Sequence, residues 1–99
     1  MITIALPRLV AGRDLADALV TAAGSLDGNI VVVDCSRTTD GSRSFASQLV
    51  RRILLEGGAR QMRVVDAPAE FAEYVAHSAA TQSVATKLEL VSDSKRVLA

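Results

Sequence analysis

The chain has 99 residues, enough for one small domain, and 49% of them are hydrophobic, enough for a core. Eleven basic residues balance eleven acidic ones, so the formal net charge is zero, which excludes a chain built mainly to neutralise nucleic-acid phosphates. A single cysteine excludes an internal disulfide, and no apolar run approaches the roughly 18 residues of a membrane helix. With no basic, apolar and small-residue leader, the expectation is a soluble, cytoplasmic protein with residues 1–99 as one domain, no nucleic acid and no membrane.

Residues 2–6 read as a short strand closed by Pro7, which has no N–H for a ladder. Leu9-Val10-Ala11-Gly12 leads into a helix over 13–23. Leu15, Leu19 and Ala22 or Ala23 share its inward face, and Asp14 and Asp17 sit in its first turn, where negative charge suits the dipole. Gly24-Ser25 stops it, and Asp27-Gly28-Asn29 turns the chain. Residues 30–33 are a β-branched run without polar alternation, which predicts a strand buried on both faces and ended by Asp34.

Residues 37–44 are small, polar or charged and read as a loop. Phe45, Leu49 and Ile53 then recur at i+4 beside Ala46, Val50 and Leu54, an amphipathic helix stopped by Gly57-Gly58. Ser42 and Ser44 both suit its N-cap. A second buried strand follows over 62–65. Pro68 suits the first turn of a third helix, with Glu70 and Glu73 near its start. Phe71, Val75 and Ser78 or Ala79 face inward. Residues 87–91 predict a fourth strand, with Leu88 and Leu90 on one face and Glu89 on the other, before a polar end at Asp93-Ser94-Lys95-Arg96 that is expected to fray. Arg51, Arg52, Arg60 and Arg63 read as solvated charges.

The order is β-α-β-α-β-α-β, which predicts an α/β fold with a four-stranded, mainly parallel sheet, right-handed crossovers and about three helices. The pattern leaves the direction of the first strand open. Function is expected where the central strand ends and the next helix begins, because ligands and partners of open α/β sheets meet that carboxyl edge.

Enzyme motifs are missing. No Gly-Lys pair serves a P-loop, only Gly41 lies in the central loop, and a phosphatase-type arginine six residues after Cys35 is replaced by Gly41. No paired-cysteine or His-Glu-x-x-His metal pattern occurs. His77, the only histidine, falls on the third helix. Cys35 reads as a small hydrophobic residue at a strand end, although a nearby helix start would lower its pKa. The expectation is a non-enzyme without cofactor or metal.

Val-Val-Val-Asp-Cys-Ser-Arg, a short loop, then Ser-Phe-Ala-Ser-Gln-Leu resembles the STAS superfamily, and more closely the small bacterial STAS-like domains. Arg13-x-x-Ala16, the strand ending in Asp34, and Ser44-Phe45-Ala46 carry the resemblance, which spans roughly residues 6–83. It implies a small STAS-like sandwich and a regulatory protein-binding module similar to anti-sigma factor antagonists. Its partner would be an ATP-dependent serine kinase of the histidine-kinase-like ATPase class, or an anti-sigma-type protein.

In that family the kinase phosphorylates a serine at the N-terminus of the helix after the central strand; the matching position here is Ser44, with Ser42 next. Arg37 and Arg43 are expected to pair with the phosphate. Arg37, Thr38, Thr39, Asp40, Gly41 and Arg43 form the expected partner- or anion-binding loop. The sequence departs at the turn, where Ser42-Arg43-Ser44-Phe45 stands in place of Asp-Ser-Ser-Gly, and at Ser47-Gln48, where the family often has an acidic pair. The alternative expectation is a small anion or nucleotide sensor using the same helix start. A homodimer through the Arg51-Arg52 face or an open sheet edge is also compatible with the pattern.

Overall fold

The computed structural model of the protein describes residues 1–92. Strand β1 (Ile2–Ala5) is followed by a short β2 (Leu9–Val10) and helix α1 (Arg13–Ala23). Strand β3 (Ile30–Asp34), a second short strand β4 (Asp40–Gly41) and helix α2 (Arg43–Val50) form the centre. Then come β5 (Gln61–Val65), α3 (Ala69–Thr81), a 3₁₀ turn (Ala85–Lys87) and β6 (Leu88–Val91). The fold is α/β, with a four-stranded sheet ordered β1-β3-β5-β6 and three helices. Every pairing is parallel, so β1, whose direction the pattern left open, joins the others. The polar end expected from Asp93 onward lies outside the described residues.

The strand order explains the layering. Each crossover moves the sheet one strand in the same direction, and right-handed crossovers of that kind lay all their helices on one face. Ile4, Val33 and Val64 share one row of that covered face, and Val31 and Met62 the next; all five are buried. The opposite face carries Thr3, Val32, Arg63 and Glu89 in one row and Ala5, Asp34, Val65 and Val91 in another, and none of these is fully buried. This corrects the expectation of a central strand buried on both faces. Val31 and Val33 are sealed, while Ile30 and Val32 are half-buried. A β-branched run satisfies a strand with one covered face as well, because the pleat and its neighbours shield much of the open side.

Beneath the helices the core is aliphatic, with Phe45 and Phe71 as its aromatic pair, 6.0 Å between ring centres. Helix α1 buries Ala16 and Val20, flanked by half-buried Leu15, Leu19 and Ala23, while Ala22 is exposed. The inward face is therefore turned one residue from the leucine row, onto Ala16 and Val20. Asp17 sits beyond the first turn and accepts bonds from Gln48 (2.8 Å) and Arg52 (2.8 Å) of the neighbouring helix. Pro68 is the N-cap of α3 rather than its first helical residue, and Phe71, Val75, Ser78 and Ala79 are its buried face.

The apolar spacing of α2 continues through Ile53 and Leu54, but the backbone widens into a π-helical turn over Arg51–Glu56. Gly57 accepts that turn: a Cβ there would lie 2.5 Å from the Arg52 carbonyl oxygen and 2.9 Å from that of Ile53. Periodicity alone does not reveal such a turn. The arginines read as solvated charges include three in ion pairs, with Arg51 on Glu56, Arg52 on Asp17 and Glu56, and Arg63 on Glu89 across the open sheet face.

Two short strands inside expected loops set the carboxyl edge. β2 and β4 pair in parallel, Leu9 beside Asp40 and Val10 beside Gly41. A Cβ at Gly41 would sit 2.4 Å from Phe71 Cδ1 and 3.0 Å from Val10 Cγ2. Gly41→Ala should therefore lower stability by about 1–3 kcal/mol through overpacking, read from the midpoint of a urea denaturation curve. An unchanged midpoint would mean that β4 is not seated on Phe71.

Candidate functional site

The loop that leaves β3 is tied down by backbone and hydroxyl bonds before it reaches α2. Asp34 takes the Ser36 N–H on its carboxylate at 2.9 Å, an Asx turn that reverses the chain. That N–H chiefly, with the Arg37 charge as a lesser cause, holds the Asp34 carboxyl below its ordinary pKa. Thr38 donates its hydroxyl to the Pro7 carbonyl (2.9 Å) and Thr39 to that of Arg8 (3.2 Å), while the Thr39 N–H adds a bond to Arg8 at 2.8 Å. Both threonines of the expected anion loop thus anchor the segment that precedes β2. Arg37 and Asp40 are exposed, and Gly41 is buried against Phe71.

The two serines of the helix start have different tasks. Ser42 is the N-cap: its backbone is extended, and its hydroxyl oxygen accepts from the Phe45 N–H at 3.1 Å. The same oxygen accepts from the Gly12 N–H at 3.3 Å, at the start of α1. One hydroxyl therefore caps one helix and ties it to the entry of another. A serine oxygen has two lone pairs, and both are occupied, so the Ser42 proton is directed to the Ser44 oxygen 3.2 Å away. Ser44 lies one residue into the helix, is exposed and keeps its own proton for solvent. The expectation that either serine suits the cap resolves to Ser42, because only its backbone is in the extended conformation a cap needs.

Arg43 lies over the Tyr74 ring of α3, 4.9 Å from its centre, a cation–π contact that holds it beside Ser44. Leu9 projects into solvent next to this edge, 64% exposed. An open depression of about 250 Å³ lies there, lined by Leu9, Val10, Ala11, Asp40, Gly41 and Ser42. Leu9, Arg8 and Tyr74 were not legible as site residues. A two-residue strand carries no period, and only the β2–β4 pairing brings residue 9 to the loop.

Cys35 is fully buried, and its N–H donates to the Val65 carbonyl at 2.8 Å. Burial, with the charges of Asp34 and Asp66 adding, pushes its thiol up to about 12. The lowered pKa expected from a nearby helix start does not arise, since burial and the two carboxylates all favour the neutral thiol. His77 is exposed on α3. Among the described residues, no group of three or more His, Cys, Asp or Glu side chains gathers to hold a metal ion, and no helix is long and apolar enough to cross a membrane.

No family model, no curated protein and no solved structure matches the chain.

Ser42→Ala removes the acceptor of two N–H groups and should cost about 1–2 kcal/mol, whereas Ser44→Ala should stay within about 0.5 kcal/mol. Urea denaturation of both variants reads the difference; equal losses would contradict the division between the capping and the exposed hydroxyl. The Cys35 thiol should resist a thiol reagent at pH 8 in the folded protein and react at once in denaturant. Since its pKa is raised on folding, its contribution to stability holds below about 9 and is lost as pH rises toward 12. The fall over that range should be shallower in Cys35→Ala.

Proposed function

We propose that the chain is a non-catalytic, cytoplasmic regulatory module of the STAS-like kind, binding a protein partner through the 37–44 loop and the start of α2. The partner class is an ATP-dependent serine kinase or an anti-sigma-type ATPase, and phosphorylation of Ser44 is the switch. The observation that carries the reading is the split between the serines. Ser42 accepts from two backbone N–H groups, while Ser44 stands exposed at the same helix start, bonded to the Ser42 hydroxyl.

Further support comes from where the family-like residues fall. Arg13 opens α1 and Ala16 is buried three residues on; Asp34 ends β3; Phe45 and Ala46 are both buried directly after Ser44. The sequence features behind the resemblance thus converge on one edge. A phosphate on Ser44 adds roughly −1.5 to −2 charges at a helix N-terminus, which tolerates it, so the fold survives while a partner surface changes sign. Buried Cys35 and solvent-facing His77 give no nucleophile–base pair within that edge, in keeping with a binding role.

Ser44→Asp should weaken the complex with the partner about tenfold or more while shifting the unfolding free energy by less than about 1 kcal/mol. Binding by titration calorimetry and stability in urea separate the two effects. Binding unaffected by the charge, or lost only together with folding, would overturn the switch.

A further inference from the structure

Another open depression, of about 560 Å³, lies where β1 ends and the turn leaves β3. It is larger than the one at Leu9, and its size is that of a small-molecule site. The wall is apolar, with Ala5, Leu6 and Pro7 from the end of β1 and Leu19 from α1. Two groups of opposite charge complete it, the Asp34 carboxylate and the Arg37 guanidinium. The arginine's charge acts on the carboxyl, yet the two make no salt bridge among the described residues. Ser36 fixes the carboxylate through its N–H on Oδ1, and a carboxylate has room for further donors. Held below its ordinary pKa, chiefly by that N–H, the Asp34 carboxyl is ionised at neutral pH. A mainly apolar wall with a few convergent polar groups is the usual make-up of a ligand site, and the carboxyl edge of an α/β sheet is its usual place.

The two charges select what fills it. A simple anion, a phosphate included, meets Arg37 but is repelled by Asp34, and a simple cation meets the reverse. A neutral apolar molecule takes water from both charges and pairs neither. A molecule that carries an ammonium, a carboxylate and an apolar group on one carbon leaves nothing unmatched. We propose that this depression binds a free α-amino acid with an apolar side chain. Its ammonium donates to Asp34, its carboxylate accepts from the Arg37 fork, and its side chain lies against Pro7 and Leu19. The site goes beyond the partner-binding reading and stands without it, since none of its groups is Ser42 or Ser44.

The test titrates L-leucine, L-methionine and L-phenylalanine separately into the isotope-labelled full chain and follows its amide spectrum. At least one should give saturable shifts, gathered at residues 5–7 and 34–37 and around Leu19. Two analogues of that amino acid, one without the ammonium and one without the carboxylate, should each bind about tenfold more weakly. Asp34→Asn keeps an acceptor for the Ser36 N–H and loses the charge. In that variant the amino acid and the analogue without the ammonium should bind alike. Arg37→Gln should in the same way abolish the preference for the carboxylate. The wild-type comparison depends on no variant folding, and the amide spectra report the fold of both variants. No saturable shift up to about 10 mM, shifts centred elsewhere, or analogues that bind the wild type as tightly as the amino acid would overturn the inference.

Discussion

One hydroxyl oxygen holds the carboxyl edge of the sheet together. Ser42 accepts from Phe45 and from Gly12, so the start of α2, the start of α1 and the β2–β4 pair are fixed relative to one another. A buried or half-buried N–H without a partner costs more than a typical bond gains, and both donors lie where the chain crowds. Around this point the loop has few freedoms left. Its threonines are bound to Pro7 and Arg8, its glycine is pressed on Phe71, and its second arginine rests on Tyr74. Among the groups left exposed are Ser44, Leu9, Asp40 and the arginines. A rigid frame presenting a few free groups suits recognition, because little ordering entropy is lost on binding.

The sheet was largely legible in the sequence because its signals are long. Three helices with sustained apolar spacing, and four strands separated by turn residues, leave few topologies once crossovers are right-handed. What failed to show is short or relational. Val32 looks as buried as Val31 in a string of valines, but the single-direction strand order leaves its face without helices. Leu9-Val10 and Asp40-Gly41 are too brief for any period and exist as strands only through each other. The π turn has the same apolar positions as an α-helix, and Gly57 marks it only when the carbonyls behind it are located. The choice between Ser42 and Ser44 depended on backbone conformation, which residue preference at a cap does not distinguish.

Electrostatics divides the molecule into two parts. On the helix flank, Arg52 reaches Asp17 and Glu56 and Gln48 shares Asp17, a local network that joins α1 to the π turn and holds the Asp17 carboxyl below its ordinary pKa, Gln48 more than Arg52. Such exposed pairs add little stability singly, yet they hold charges in place. At the carboxyl edge Arg8, Arg13, Arg37 and Arg43 make no salt bridge among the described residues, although the Arg37 charge acts on Asp34 and Arg43 rests on Tyr74. Net charge alone gave no hint of this, since the β2–β4 pairing and the bonds beside it bring two distant segments together.

Ser44 is the proposed modified hydroxyl and Ser42 the structural one. The most direct measurement is site-resolved phosphopeptide mass spectrometry on the protein recovered from the cells that make it. Phosphate on Ser44 with none on Ser42 is the predicted result. Phosphate on Ser42, or neither serine modified under any growth condition tried, would contradict it.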